Sequence, residues 1–168
     1  MGQVLSELYD LLCRQKQVLE DLLEMAQEER LILISGRSGE LEGVVRSQLR
    51  ELSKLGSIEK KRAALNPAIS AELGLTEKDI TISAIIIRAE PEQGEKLKEL
   101  QSELTTLIAE HTSVNMENRE LIKTHQEYTE AMLEIIVESE DPLNNFYGGD
   151  GKSTPERKKT TGFFDGHA

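Results

Sequence analysis

LKELQSELTTLIAEHTSVNMENRELIKTHQEYTEAMLEI, residues 97–135, is the stretch that decides the fold. Its seam residues follow one another at alternating spacings of three and four: Leu97, Leu100, Leu104, Leu107, His111, Val114, Asn118, Leu121, His125, Tyr128, Met132 and Ile135. This is the a/d pattern of a long helix that packs lengthwise against other helices. A helix of this kind presents a stripe rather than a pocket, so the stretch favours a helical binding module over a catalyst.

Composition agrees with long, water-exposed helices. The 168 residues suit one domain, or one domain with a tail. Charged residues make up 30%, tryptophan is absent, and aromatic residues make up only 4%. The net charge of -11 argues against nucleic acid and against anionic membranes, because both would be repelled.

The sequence also argues against a membrane segment and a secretory signal. No apolar run approaches the roughly 18–20 residues that span a bilayer, and residues 1–4 lack a basic region followed by an apolar core. The single cysteine, Cys13, excludes an internal disulfide. We therefore expect a cytoplasmic protein without membrane insertion.

Two long helices are predicted in the first 65 residues. Residues 3–34 carry a seven-residue repeat of Leu5, Leu12, Leu19, Ala26 and Leu33. A glycine-containing stretch, residues 35–39, ends this helix and makes a tight reversal, with Ser38 as the expected N-cap of the next helix. The second helix covers residues 39–65, with a predicted stripe of Leu41, Val45, Gln48, Leu52, Leu55, Glu59 and Arg62.

The segment between residues 66 and 90 allows two interpretations. A short helix over residues 67–73 can end at Gly74, and Asp79 can cap a second one over residues 80–89. The β-branched run at residues 80–87 also fits a strand. We favour helix, because no second strand exists to pair with it. The third long helix is expected to start near Pro91 or Glu92 and to end near Glu140.

The predicted fold is all-α: an elongated antiparallel bundle of three long helices, with short helices between the second and third and a flexible C-terminal tail. The bundle domain is residues 1–140 and the tail is residues 141–168. The tail is formally neutral and holds all three phenylalanines, among them Phe146, together with Tyr147. A disordered tail with most of the aromatic residues is a candidate client-binding or linker segment.

No constellation of residues indicates catalysis, a metal or a cofactor. His111 and His125 are fourteen residues apart, about 21 Å along a helix, and cannot share a metal. Cys13 has no accompanying nucleophile pattern, and the glycine-rich residues 148–153 lack the first glycine of a phosphate-binding loop. His111, Asn118 and His125 are expected to be polar layers that fix register. The alternative is that this stretch meets a partner or a second copy.

The chain resembles the FlgN-type flagellar export chaperones. The resemblance rests on LEGVVRSQLREL at residues 41–52, EKKR at 59–62, NMENRELI at 115–122, MLEII at 132–136 and YGGDG at 147–151. It implies a chaperone, not an enzyme, that uses no cofactor. Such a chaperone holds hook-filament junction (hook-associated) proteins in the cytoplasm before type III export.

The resemblance also implies a partner-binding site on the last helix and tail, which engages an amphipathic helix near the end of the client. The candidate residues are Asn115, Asn118, Leu121, Ile122, Tyr128, Met132, Ile136, Phe146 and Tyr147. Export-apparatus components are further candidate partners, and a homodimer stays open. The alternatives are a structural homodimeric coiled coil without a client, and a regulator of an ATPase or of transcription.

Overall fold

The computed structural model describes residues 2–144, with side-chain environments for residues 2–76 and 78–137. Five α-helices make up this part of the chain: α1 (Gln3–Ser35), α2 (Leu41–Ala64), α3 (Asn66–Leu73), α4 (Ile82–Arg88) and α5 (Pro91–Asn144). Two short 3-10 turns, Ser38–Glu40 and Glu77–Asp79, complete it, and no strand occurs in these residues. The all-α prediction is confirmed.

The reversal between α1 and α2 is built around Gly36. Its φ of 69° is left-handed, which favours glycine. The N–H of Gly36 donates to Leu33 O at 3.3 Å, and that of Arg37 to Ile32 O at 3.1 Å, which is a Schellman C-cap. The predicted cap at Ser38 is wrong: α2 begins after Glu40, and no side chain caps it.

The segment between α2 and α5 is helical, as favoured. Helix α3 ends at Gly74, which has a φ of 62°. Helix α4 is capped by Thr81 rather than by the predicted Asp79, because the Thr81 hydroxyl accepts from the Ala84 N–H at 3.1 Å. Asp79 instead lies in the preceding 3-10 turn and accepts a hydrogen bond from Thr76.

Three long helices run up, down and up in the first of two compact units, residues 1–126. Lys16 of α1 pairs with Glu103 of α5, and Ala26 with Asn118, so residue numbers rise together and these helices are parallel. Helix α2 is antiparallel to α1, because Val44 shares a cavity with Ile32, and Arg62 shares another with Leu12.

The core of this unit lies mainly at the end where α1 begins. Leu8, Leu12, Leu22, Ile69 and Leu97 are fully buried in its main cluster, which also contains Ile85 of α4, whereas the equally buried Ile32 lies outside this cluster, near the end of α1. The predicted seven-residue line of α1 is buried throughout. Each such side chain contributes roughly 1.5–3 kcal/mol on burial, so this end of the bundle closes on itself.

The buried stripe of α2 agrees with the predicted stripe at every second position. At the positions between, it is shifted by one residue towards the N-terminus of the helix. Leu41, Gln48, Leu55 and Arg62 are partly buried, but the buried residues between them are Val44, Glu51 and Ile58. Val45 and Leu52, which we expected inside, are 41% and 48% exposed. At one of these positions the prediction took Leu52 over Glu51, but Glu51 is the buried residue, and its carboxylate bonds to Lys54.

Candidate partner-binding surface

A buried polar cluster joins the three long helices midway along the seam of α5. Asn118 is only 2% exposed, and its Nδ2 donates to Ala26 O at 2.8 Å and to Glu29 Oε2 at 3.2 Å. Gln48 of α2 donates to the same Glu29 oxygen at 2.9 Å. The side-chain oxygen of Asn118 has no hydrogen-bond partner. The cluster therefore fixes register at a cost in stability.

An open groove lies beside this cluster, between the last turns of α1 and the middle of α5. Its volume is about 590 Å³, and it is lined by Arg30, Ile34, Met116, Glu117, Arg119, Glu120, Leu121 and Thr124. The Arg30 Nη1 and Glu117 Oε2 atoms form an ion pair at 2.8 Å. Ile34 and Met116 are 61% and 65% exposed, so the apolar wall of the groove is open to water.

Helix α5 changes character along its length. Leu97, Leu100 and Leu104 of the seam are buried, whereas every residue from 122 to 137 is exposed. The second compact unit begins at residue 127, and its described part is a continuous helical stretch. Its large exposed apolar residues are Tyr128, Met132, Leu133, Ile135, Ile136 and Val137. Large apolar patches of this kind mark interaction sites.

The polar layers of the seam lie in different environments. His111 is partly buried, and burial lowers the pKa of its imidazole; Asn115 Nδ2 lies 3.0 Å from its Nδ1. Asn118 is buried, as described, and His125 is exposed. Only Asn118 thus matches the expectation of a buried layer that connects helices.

The candidate binding residues fall into four groups: one buried, one lining the groove, five exposed and two outside the described residues. Asn118 lies inside and contacts α1, while Asn115 is exposed next to His111. Leu121 lines the groove, and the exposed residues are Ile122, Tyr128, Met132 and Ile136. Phe146 and Tyr147, with most of the predicted tail, lie outside the described residues. Helix α5 itself continues to Asn144, four residues past the predicted end.

Sequence reasoning missed the part of the groove that α1 supplies. Ile34 and Arg30 fall off the seven-residue line of α1, and so does Leu31, which is 63% exposed. A cluster of large apolar residues off the buried stripe was the available signal. Glu29 and Gln48 were missed too, because nothing in the sequence shows that three polar side chains from distant positions meet.

Three other features of the described residues concern metal ligands, the apolar length of the helices and Cys13. No three histidine, cysteine or acidic side chains there come together as metal ligands, and no described helix is long and apolar enough to span a bilayer. Cys13 is partly buried beside Tyr9 and raises the pKa of that phenol.

Comparison with known proteins gives two matches. The sequence model of a family described as FlgN protein matches residues 1–155. An uncharacterized protein of Bacillus subtilis (strain 168), YvyG, is 26% identical over 125 residues, which cover 74% of this chain and 76% of YvyG. No solved structure matches the chain.

Proposed function

Because the chain belongs to the FlgN family, a family of flagellar export chaperones, we propose that it binds hook-filament junction proteins in the cytoplasm before type III export. The client contributes an amphipathic helix from its C-terminal region. Binding covers that helix and thereby prevents premature assembly or aggregation. The observation that carries the proposal is the open apolar wall of the groove beside Asn118.

The groove suits one face of a helix rather than a whole helix. A helix with its side chains is about 10–12 Å across, and a groove of about 590 Å³ cannot enclose several turns of it. It can take apolar side chains that repeat at three- and four-residue spacing on one face of a client helix. Ile34, Met116 and Leu121 supply the apolar contacts from the chaperone.

The described part of the second unit offers a further apolar face. Tyr128, Met132 and Ile135 continue the three-four spacing of the seam and are exposed by 67%, 41% and 61%. Methionine adapts its shape to different partners, as a chaperone with more than one client requires. We therefore propose this stretch, which also carries Ile136, as a client-binding surface in its own right, and we keep Ile122 as a further candidate of the first unit. Phe146 and Tyr147 complete the proposed set.

Asn118 acts in this proposal as a positioning residue. It is too deeply buried to touch a client, but it ties α5 to α1 next to the groove wall. A change at Asn118 should therefore shift the groove rather than remove a contact. Asn115 is exposed and available for a direct polar contact.

The test measures binding of a purified hook-filament junction protein by titration calorimetry. The groove variant is Ile34→Gln/Met116→Gln, and the variant of the second unit is Met132→Gln/Ile135→Gln; all four side chains are exposed, so the fold should persist. We expect each pair to weaken binding about tenfold. Ile87→Gln on α4, 79% exposed and outside both surfaces, is the matched control.

A truncation after Asn144 separates the helices from the tail, because it leaves α5 complete. Weaker binding by the truncated chain would support the part given to Phe146 and Tyr147, and unchanged binding would confine the site to α1 and α5. Light scattering tests the alternative that the protein is a structural coiled-coil dimer. Stable dimers with no affinity for the junction protein would establish a homodimeric coiled coil instead.

A further inference from the structure

A second exposed apolar stripe lies on α2, apart from the surface that we propose for the client. Val45, Leu49 and Leu52 are 41%, 61% and 48% exposed. Their spacings of four and three place them on one face of the helix. The next position on this face is Gly56, where an added Cβ would meet nothing within 4 Å.

The exposure of this stripe cannot be explained by a fully apolar set of residues on the inward face of α2. At the neighbouring inward position α2 buries Glu51, whose Oε2 is buried without a hydrogen-bond partner. A buried carboxylate beside an exposed leucine opposes the usual partition of side chains. A buried carboxylate beside an exposed leucine lowers the stability of the isolated chain. This indicates that the exposed face contacts another molecule.

The stripe has a basic edge. Arg46, Arg50 and Lys60 lie on the flank of α2 next to it, on a line shared with Ser53 and Ser57. Arg46 pairs with Glu42 on the same helix, whereas Arg50 and Lys60 have no carboxylate partner among the described residues. Helix α2 contains six basic and three acidic residues in a chain whose net charge is -11.

We propose that this face of α2 binds an acidic amphipathic helix of a partner protein other than the client. Large aliphatic side chains of the partner helix cover Val45, Leu49 and Leu52. Its carboxylates face Arg50 and Lys60, which supply a positive edge on an otherwise acidic protein. Charge complementarity selects this partner, because any basic helix would be drawn to the acidic remainder of the chain instead. The proposal does not depend on the client site.

The test uses the full chain and a fluorescent synthetic helix of about 20 residues, long enough to form a helix when bound. Its leucines repeat at three- and four-residue spacing, and glutamates occupy the other positions. A second peptide with lysine in place of every glutamate is the charge control. Fluorescence anisotropy measures binding of each at low and at physiological salt.

We expect binding of the acidic peptide to weaken as the salt concentration rises. We expect the lysine peptide not to bind to α2. Leu49→Gln/Leu52→Gln should weaken binding of the acidic peptide about tenfold or more. Arg50→Glu should weaken it severalfold. Ile87→Gln, an exposed apolar residue on α4, should leave it unchanged. All four substitutions are on exposed residues, and circular dichroism checks that the helix content is retained.

Four results, and a fifth with the junction protein, would overturn the proposal. They are no saturable binding of the acidic peptide, binding of the lysine peptide that Leu49→Gln/Leu52→Gln weakens as much as that of the acidic peptide, undiminished binding of the acidic peptide by Leu49→Gln/Leu52→Gln, and a dimer of this chain that the same double substitution dissolves. The last would assign the face to a second copy. Calorimetry with the junction protein on the same variant should show unchanged client affinity, and a loss there would mean that the α2 face belongs to the client site.

Discussion

Replacing Asn118 by aspartate tests the buried cluster most directly, because the two side chains have nearly the same shape. The change removes both Nδ2 hydrogen bonds and places a second carboxylate about 3.2 Å from Glu29 Oε2. At an effective dielectric constant of about 20, two charges at this distance repel by about 5 kcal/mol. Proton uptake by the new carboxyl limits this cost.

That limit follows from the ordinary pKa of aspartate, about 3.9. Keeping the carboxyl protonated at pH 7 costs about 4 kcal/mol, at 1.36 kcal/mol for each pH unit. We therefore expect Asn118→Asp to lower the free energy of unfolding by about 3–4 kcal/mol at pH 7. The new carboxyl has a raised pKa in the folded state, so its penalty is absent below the unfolded pKa and grows as pH rises through the folded pKa.

Urea unfolding, followed by circular dichroism at pH 7 and pH 5, measures both quantities. The penalty should shrink by roughly 1–3 kcal/mol between these values. Adding Glu29→Gln supplies a new amide donor and removes one charge, so the double variant should regain about 2 kcal/mol or more at pH 7. A loss below about 1 kcal/mol for Asn118→Asp, or a penalty independent of pH, would refute the contact between Asn118 and Glu29.

Single contacts give three further predictions. Gly56→Ala, with open space around it, should raise the free energy of unfolding by about 0.5–1 kcal/mol. Gly94→Ala should lose this gain, because its Cβ would lie 3.1 Å from Ile86 O. Urea unfolding of both variants measures the difference. The pKa of Lys16, raised by its bond to Glu103, should fall towards the ordinary value in Glu103→Gln; an unchanged NMR titration would contradict this. Because burial lowers the pKa of His111, its neutral form is the one that the fold favours. The free energy of unfolding should therefore fall as pH drops from the unfolded pKa through the folded one. Urea unfolding over this pH range should show no such fall in His111→Gln.

Much of the fold could be predicted from the periodicity of apolar residues. The heptads of α1 and the first half of the α5 seam are buried as expected, since apolar spacing decides which face turns inward. The caps of α2 and α4 could not, because Ser38 caps no helix and Thr81 rather than Asp79 caps α4, and only the backbone geometry decides whether such a side chain reaches an unpaired N–H. The choice of helix for α4 was right because a strand needs a partner.

The site was less predictable than the fold. The resemblance to the FlgN-type chaperones supplied Leu121, Ile122 and Met132 as candidates, but it could not show that Ile34 of α1 and Met116 of α5 line one groove. Sequence spacing also treated three polar layers alike, although among them only Asn118 is buried. Periodicity reports which face a residue occupies on its own helix. Contacts between distant segments depend on the offset between helices, which side-chain packing determines.

The offset itself explains why a polar residue suits position 118. An apolar residue there would tolerate a slide of α5 along α1, because one leucine layer replaces another at little cost. Asn118 reaches Ala26 O and Glu29 only in one register, since both bonds must form together. The exposed wall formed by Ile34 and Met116 then keeps a defined separation although no core encloses it. The client binding that we propose needs such a surface, which is open to water yet fixed in shape.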